Sequence, residues 1–405
     1  MLSDAIMNEV KNIAKIKWDQ MKYISDFLFK NPEIGKEEFV SSQFLCNVAR
    51  NMGFHVVEGY CGLDTAFLAE FRNGEGPVIA LIAEYDALPE FGPEKRPAHA
   101  CGHNWISAQA FGTAMILMEM QKYYKGTIRI LGTPANENVG CKYEMIKMHA
   151  FDDVDIVIQN HLEKVTCLHA TLLALDALSF HFKGRGSHSS VALEDSINAL
   201  DAVQFMFAGI NAMRATFHSD TKIHGIINEG GVNPSLISEN ASCRFYIRAM
   251  DRKYLDKIRP KILRCAEGAA LMAGVQMQWE FFENPHEGMI HNSILQELGK
   301  EYLALENIYE FEDYEQEIAF ASSDIGNVSH ICPTLYMEIG MNGVSDFEIY
   351  SRQALKYVNS DYSNQLLMRV SGITACIALD LLTNPEKILK IKEEHHYNIR
   401  RYMER

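Results

Sequence analysis

The chain has 405 residues, enough for two domains with their own cores, since domains commonly run to about 100–200 residues. Its 53 acidic and 38 basic side chains leave a formal net charge of -15, the wrong sign for a nucleic-acid binder. No apolar run of about 18 residues stands out, so no membrane partner is expected, and "MLSDAIMNEVKNIAKIKWDQ" is charged and amphipathic, unlike a signal peptide. Nine scattered cysteines without a CxxC read as reduced thiols, which places the protein in the cytoplasm.

Apolar positions at helical spacing predict a helix over 5–30, and "NPEIGKEEF" (31–39) gives a turn and then a second helix through Phe44, Leu45 and Val48. "TAFLAEF" (65–71) and "PVIALIAEY" (77–85) read as strands, the second apolar enough to be central. A loop rich in Pro, Gly and charge (89–98) ends in "HACGHN", and "WISAQAFGTAMILMEMQKYY" continues as a helix. "GTIRILGTP" (126–134) and "VDIVIQNH" (154–161) are further strands. Alternating strand and helix with buried strands indicates an α/β layered sheet. Ligands gather at the carboxyl ends of strands in such sheets. Asp86, Cys101, His103, Glu137 and His161 all fall at or just after those ends.

Near residue 174 the pattern changes. Strand 173–186, helix 195–216, strands 221–231 and 240–250, helix 253–274 and strand 275–282 follow in β-α-β-β-α-β order. That order is typical of a ferredoxin-like α+β unit. After residue 290 helix returns, then the loop "FASSDIGNVSHICPTLYMEIG", then a final helix over about 362–383. The expected organisation is a catalytic domain in two parts, 1–173 and 289–405, interrupted by a smaller domain at 174–288.

Cys101 and His103 form a C-x-H pair that an extended turn can aim at one metal, and a thiolate can also bridge two. Glu137 and His161 add a carboxylate and an imidazole from the next strand ends. Asp86 is a candidate carboxylate for holding a histidine in the right tautomer. A lone histidine after an apolar strand is more often structural, and a lone cysteine is usually a small buried residue. Four ligand types at successive strand ends favour a metal site.

The segments "NPEIGKEEF", "AEYDALP", "HACGHN", "GTPANENVG", "GRGSHSS", "HGIINEGGVNPSLI", "YIRA" and "SSDIGNVS" together resemble metallopeptidase family M20. The resemblance is to its amidohydrolase branch of aminoacylases, p-aminobenzoyl-glutamate hydrolase and β-alanyl-lysine dipeptidases. It covers nearly the whole chain. It implies a metal-dependent catalytic domain, usually with zinc or manganese, and an inserted lid through which a homodimer forms. It puts Cys101, His103, Glu137 and His161 on the metals, with Cys101 bridging and Asp86 orienting a ligand. His188 matches a lid histidine that polarises the scissile carbonyl in the partner subunit's site, and Arg248 an arginine near a substrate carboxylate.

Three positions depart from the family pattern. Family members usually read "TPAEE", with the first glutamate as general base, and here Asn136 stands in its place. Asparagine cannot take a proton from water, and loss of a general base forfeits roughly 10²–10⁴ in rate. In "EIYSRQALKYVNS", Tyr350 falls where a ligand histidine is expected, which makes a second metal doubtful, with His330 as a possible substitute. Ser235 replaces a lid asparagine that contacts the substrate or its oxyanion. The resulting expectation is an amidohydrolase for a small N-acyl amino acid, dipeptide or aryl amide. The alternatives are a retired binding protein, or a metal-dependent lyase or transferase.

Overall fold

The computed structural model describes residues 1–190, 194–310, 321–341, 344 and 347–404. Residue 320, the first of the predicted 320–340 loop, lies outside them. The chain divides into two compact units. The first comprises Met1–Thr171, Met289–Ala319 and Asn327–Arg405, and the second Leu172–Gly288 and Phe320–Gly326.

The first unit begins with helices α1 (Asp4–Lys30) and α2 (Phe39–Asn51) and strands β1 (His55–Glu58), β2 (Phe67–Asn73) and β3 (Val78–Ala83). Helix α3 (His103–Glu119), β4 (Gly126–Gly132), α4 (Lys142–Lys147) and β5 (Ile156–Glu163) follow. The second unit holds β6 (Ala174–Lys183), β7 (Ser187–His188), α5 (Ala199–Met213), β8 (Lys222–Glu229), β9 (Leu236–Ile237), β10 (Asn240–Ala249), α6 (Arg252–Ala273) and β11 (Gln276–Phe281). The chain ends with α7 (Ser293–Ala304), α8 (Ile325–Ser329), β12 (Thr334–Gly340), α9 (Asp361–Thr383) and α10 (Pro385–Glu404).

The main sheet runs β1-β2-β4-β3-β5-β12, parallel across β4, β3, β5 and β12. Those four strands therefore present their carboxyl ends along one edge, as the alternating pattern implied. Helix α3 lies against β3, β4 and β5 and is packed by α1 and α9. Every residue of α3 from His103 to Leu117 is buried, so the helix is enclosed on all sides, as a core helix is. Gly112 marks its closest approach: a Cβ there would stand 2.7 Å from Ser371 Oγ and 2.9 Å from Met21 Sδ.

Three expectations need correction. The described part of the 320–340 stretch, residues 321–340, is not a loop throughout: it carries α8 and the edge strand β12, whose Thr334 pairs with Val157 and whose Glu338 pairs with His161. The helix at 361–383 is not the last, since α10 follows after Asn384. Helix α9 is also long and apolar enough to cross a membrane, but 83% of its apolar window is buried, and packing against α1 and α3 accounts for its composition.

In the second unit the sheet order is β11-β6-β10-β8, all antiparallel, with α5 and α6 packed on it and on each other. Phe180, Phe182, Val203, Met206, Phe245 and Ile262 are among its core residues. Strand β8 is an edge, and Ile226 and Ile227 on it are exposed.

Gly112→Val forces an isopropyl group into the α1–α3–α9 contact, where even a Cβ would stand 2.7 Å from Ser371 Oγ. It is expected to destabilise the protein by about 1–3 kcal/mol, read as a lower urea midpoint at unchanged slope.

Candidate active site

The turn into α3 sets the first two donors. Gly102 takes a left-handed conformation (φ 81°) between Cys101 and His103, which lets the chain reverse just before the helix begins. A Cβ there would stand 3.3 Å from the Leu162 side chain on β5, so glycine also lets this turn press against the neighbouring strand. Cys101 Sγ then lies 3.5 Å from Nε2 of His161, which β5 supplies. One donor atom each from Cys101, His103 and His161 fall within 4.8 Å of one another, and all three residues are buried.

Asp86, just past β3, holds this group together. Its Oδ1 is 2.8 Å from His103 Nδ1, and its Oδ2 accepts from the Glu137 backbone N–H at 2.8 Å. His103 Nε2 consequently faces Glu137 Oε1 at 3.5 Å and Glu84 Oε2 at 3.7 Å. These three atoms are buried and have no hydrogen-bond partner. Buried polar atoms are rarely left unsatisfied. Three that converge beside a thiol and a second imidazole fit a cation-binding site.

The loop after β4 is clamped on both sides of Asn136. Ala135, itself left-handed (φ 58°), donates its N–H to Glu38 Oε1 at 2.7 Å, and Glu137 donates to Asp86. Glu38 Oε2 in turn accepts from Thr65 Oγ1 at 2.8 Å. Tyr350, half-exposed with φ 57°, donates its hydroxyl to Glu137 Oε2 at 3.0 Å, and its N–H bonds Ala100 O at 3.1 Å. His330 does not join this group: its ring sits edge-on to Tyr402, with centroids 4.8 Å apart.

Sequence reasoning missed Glu84, Lys142 and Glu38. Glu84 and Lys142 form a fully buried ion pair, Nζ to Oε1 2.6 Å. A charged residue directly after an apolar strand, two before Asp86, was the available signal for Glu84.

The electrostatics follow from this packing. Burial opposes ionisation of Glu84, but Lys142, His103 and His161 outweigh it and hold its pKa at about 2. Burial also opposes a charge on His103, yet Asp86, with Glu137 and Glu84, lifts its pKa to about 10. Burial lowers that of His161 to about 4, leaving a neutral imidazole. Burial raises Glu137 to about 6 and pushes the Cys101 thiol well above its usual range. Burial, with Asp86 nearby, raises Glu38 to about 7.

The remaining sequence candidates lie in the second unit. His188 on β7 pairs in register with Leu236 on β9, and the Ser189 N–H bonds the Ser235 carbonyl at 2.9 Å, so His188 and Ser235 share one short ribbon. Arg248 sits near the far end of β10, its Nε donating to Ser322 Oγ at 3.1 Å and its guanidinium 4.8 Å above the Tyr246 ring.

Residues 80–354 match the family Peptidase family M20/M25/M40. The chain belongs to that family, whose members are metal-dependent hydrolases of amide and peptide bonds. It is 29% identical to the Xaa-Arg dipeptidase of Mus musculus, over 84% of this chain and 79% of that one. It is 31% identical to a p-aminobenzoyl-glutamate hydrolase chain of Escherichia coli, over 76% of this chain and 66% of that one. Among solved structures it shares its fold with the Bacillus subtilis YXEP protein, a dinuclear metal binding peptidase (TM-score 0.65, 18% identity, 91% and 99% covered). It also shares it with the aminobenzoyl-glutamate utilization protein of Klebsiella pneumoniae (TM-score 0.72, 15% identity, 92% and 98% covered).

The raised pKa of Glu38 carries a stability prediction. The folded state keeps its proton above the unfolded value near 4.5, so the contribution is full below pH 4.5 and is lost as pH rises through about 7. Over that window the loss reaches about 3 kcal/mol. Glu38→Gln can still accept from Ala135 and should flatten this fall, measured as urea-unfolding free energy of both proteins from pH 4 to 8.

Proposed function

We propose that the chain hydrolyses a small N-acyl amino acid, dipeptide or aryl amide with one divalent ion, zinc or manganese, and with slow turnover. The convergence of unpartnered Glu84 Oε2, His103 Nε2 and Glu137 Oε1 beside Cys101 and His161 carries this reading. Cys101, His103, His161 and Glu137 would hold the ion. Such an ion supplies Lewis acidity that polarises an amide carbonyl and lowers the pKa of a water to about 7. Asp86 fixes His103 with Nε2 inward and sets the Glu137 backbone. Tyr350 occupies one Glu137 oxygen and leaves the other for the ion.

Asn136 stands where the base would be and accepts no proton, which is why turnover should be slow. His188 would stabilise the oxyanion, with Ser235 beside it, and Arg248 would pair with a substrate carboxylate through two N–H groups. At about 3.3 Å per residue, β10 separates Arg248 from its other end at Asn240 by roughly 26 Å. That separation supports a homodimer, formed through the lid (174–288), in which His188 serves the partner subunit's site. The open β8 edge with exposed Ile226 and Ile227 offers a surface for pairing. None of the nine cysteines, all within the described residues, is in a disulfide, which supports a reducing compartment such as the cytoplasm.

A second reading, a metal-dependent lyase or transferase, is favoured by the clamp on Asn136. A position held so firmly serves some purpose other than proton abstraction, such as a hydrogen bond to substrate. Reaction in oxygen-18 water separates the two: hydrolysis puts solvent oxygen into the acid product, and the second reading leaves it unlabelled.

Protein purified without added metal or chelator should carry about one equivalent of divalent ion in this centre, lost in Cys101→Ala. Asn136→Glu should raise kcat on a responsive amide by up to about 10²–10⁴. An amide panel on which parent and variant are both silent, with metal bound, would refute hydrolysis.

A further inference from the structure

We propose a separate divalent-cation site, suited to a thiophilic ion such as zinc, made by Cys167, His169 and Glu310. Among the described residues, two groups of three bring a thiol, an imidazole or a carboxylate atom within 4.8 Å of one another, and this one shares no residue with the active site. Thiolate, imidazole and carboxylate together form a zinc donor set, and tetrahedral bonds of about 2.0–2.3 Å place donors roughly 3.3–3.8 Å apart. His169 Nδ1 and Glu310 Oε1 stand 3.0 Å apart, close to that spacing.

The donors are held by the fold. The Cys167 N–H donates to Glu338 O at 3.0 Å and its carbonyl accepts from Glu338 N at 2.9 Å, which fixes its backbone on β12. Gln296 of α7 donates to the Leu168 carbonyl at 2.7 Å, and the Leu168 N–H bonds Glu310 Oε1 at 3.1 Å. Cys167 is fully buried while the His169 side chain is 52% exposed, so the thiol lies on the inner side of the group and the imidazole on its solvent side. Lys300 Nζ, 3.9 Å from Glu310 Oε2, is the competing cation, and its side chain is 59% exposed and able to withdraw.

The plain alternative is an exposed His169–Glu310 ion pair over a space-filling cysteine. Such pairs contribute little, about 0–1 kcal/mol, and need no thiol. His149 and Asp152 form one, Nδ1 to Oδ2 2.7 Å, and provide the control.

The test loads metal-depleted full-length protein with Zn²⁺ and counts equivalents after gel filtration. His169→Ala, at an exposed side chain, should lose one equivalent relative to the parent, and His149→Ala none. Co²⁺ then replaces Zn²⁺: Cys101→Ser should keep a thiolate–cobalt charge-transfer absorption, and Cys101→Ser with Cys167→Ser should lose it. The site is overturned if His169→Ala binds as much Zn²⁺ as the parent, or if His149→Ala loses as much as His169→Ala. Absence of the thiolate absorption in folded Cys101→Ser overturns it equally. Should Cys101→Ser fail to fold, the two histidine variants decide alone.

Discussion

The carboxylate of Asp86 is the joint on which the candidate site turns. It is buried to 1% exposure, where an ionised carboxylate needs partners for both oxygens. One oxygen meets His103 and the other takes the Glu137 backbone N–H. A single side chain just past β3 therefore positions the first residue of α3 and the loop after β4. By occupying His103 Nδ1 it leaves Nε2 as the inward atom, and by holding the Glu137 amide it sets where that side chain starts. Charge-assisted hydrogen bonds of this kind contribute about 1.5–3 kcal/mol each, so the geometry is held firmly before any ligand arrives.

Charge balance supports the proposed metal centre. Glu84, Asp86 and Glu137 crowd one buried volume, and Lys142 is paired with a single oxygen of Glu84. His103 responds by holding a proton up to about pH 10. That proton and a metal ion are alternative occupants of the same need for positive charge. His161 stays neutral, with Nε2 3.5 Å from Cys101 Sγ, and is ready to donate a lone pair without first losing a proton. Glu38, its pKa raised by burial to about 7, adds hydrogen-bond acceptance without a full extra charge near neutral pH.

The strand-end logic made Asp86, Cys101, His103, Glu137 and His161 legible, because a parallel sheet collects distant residues on one edge whatever their separation in sequence. The ferredoxin-like order of the second unit was legible from short-range periodicity alone. Strand β12 was not, since its strand character depends on pairing with β5 more than 150 residues earlier. Lys142 was hidden in a short helix where a lysine usually faces water. Only the three-dimensional packing brings it to Glu84, 58 residues away. Glu38 was hidden likewise, its partners Thr65 and Ala135 lying in separate segments.

Asn136 and Tyr350, which look like two unrelated losses in the sequence, both stand beside Glu137, one next to it in the chain and one bonded to its carboxylate. A glutamate at 136 would add a negative charge next to Glu137, in a volume already rich in carboxylates, and that charge would favour a further cation. Asparagine removes it while Glu38 and Asp86 keep the loop in place. The Tyr350 hydroxyl takes Glu137 Oε2 as a hydrogen-bond acceptor, withdrawing an oxygen that a second ion could use. Both changes lower the demand for a second positive charge and leave the first ion's donors intact. Taken as a unit, the pair supports the proposed one-ion centre: each change alone would leave Glu137 with either an excess charge beside it or an oxygen facing no cation.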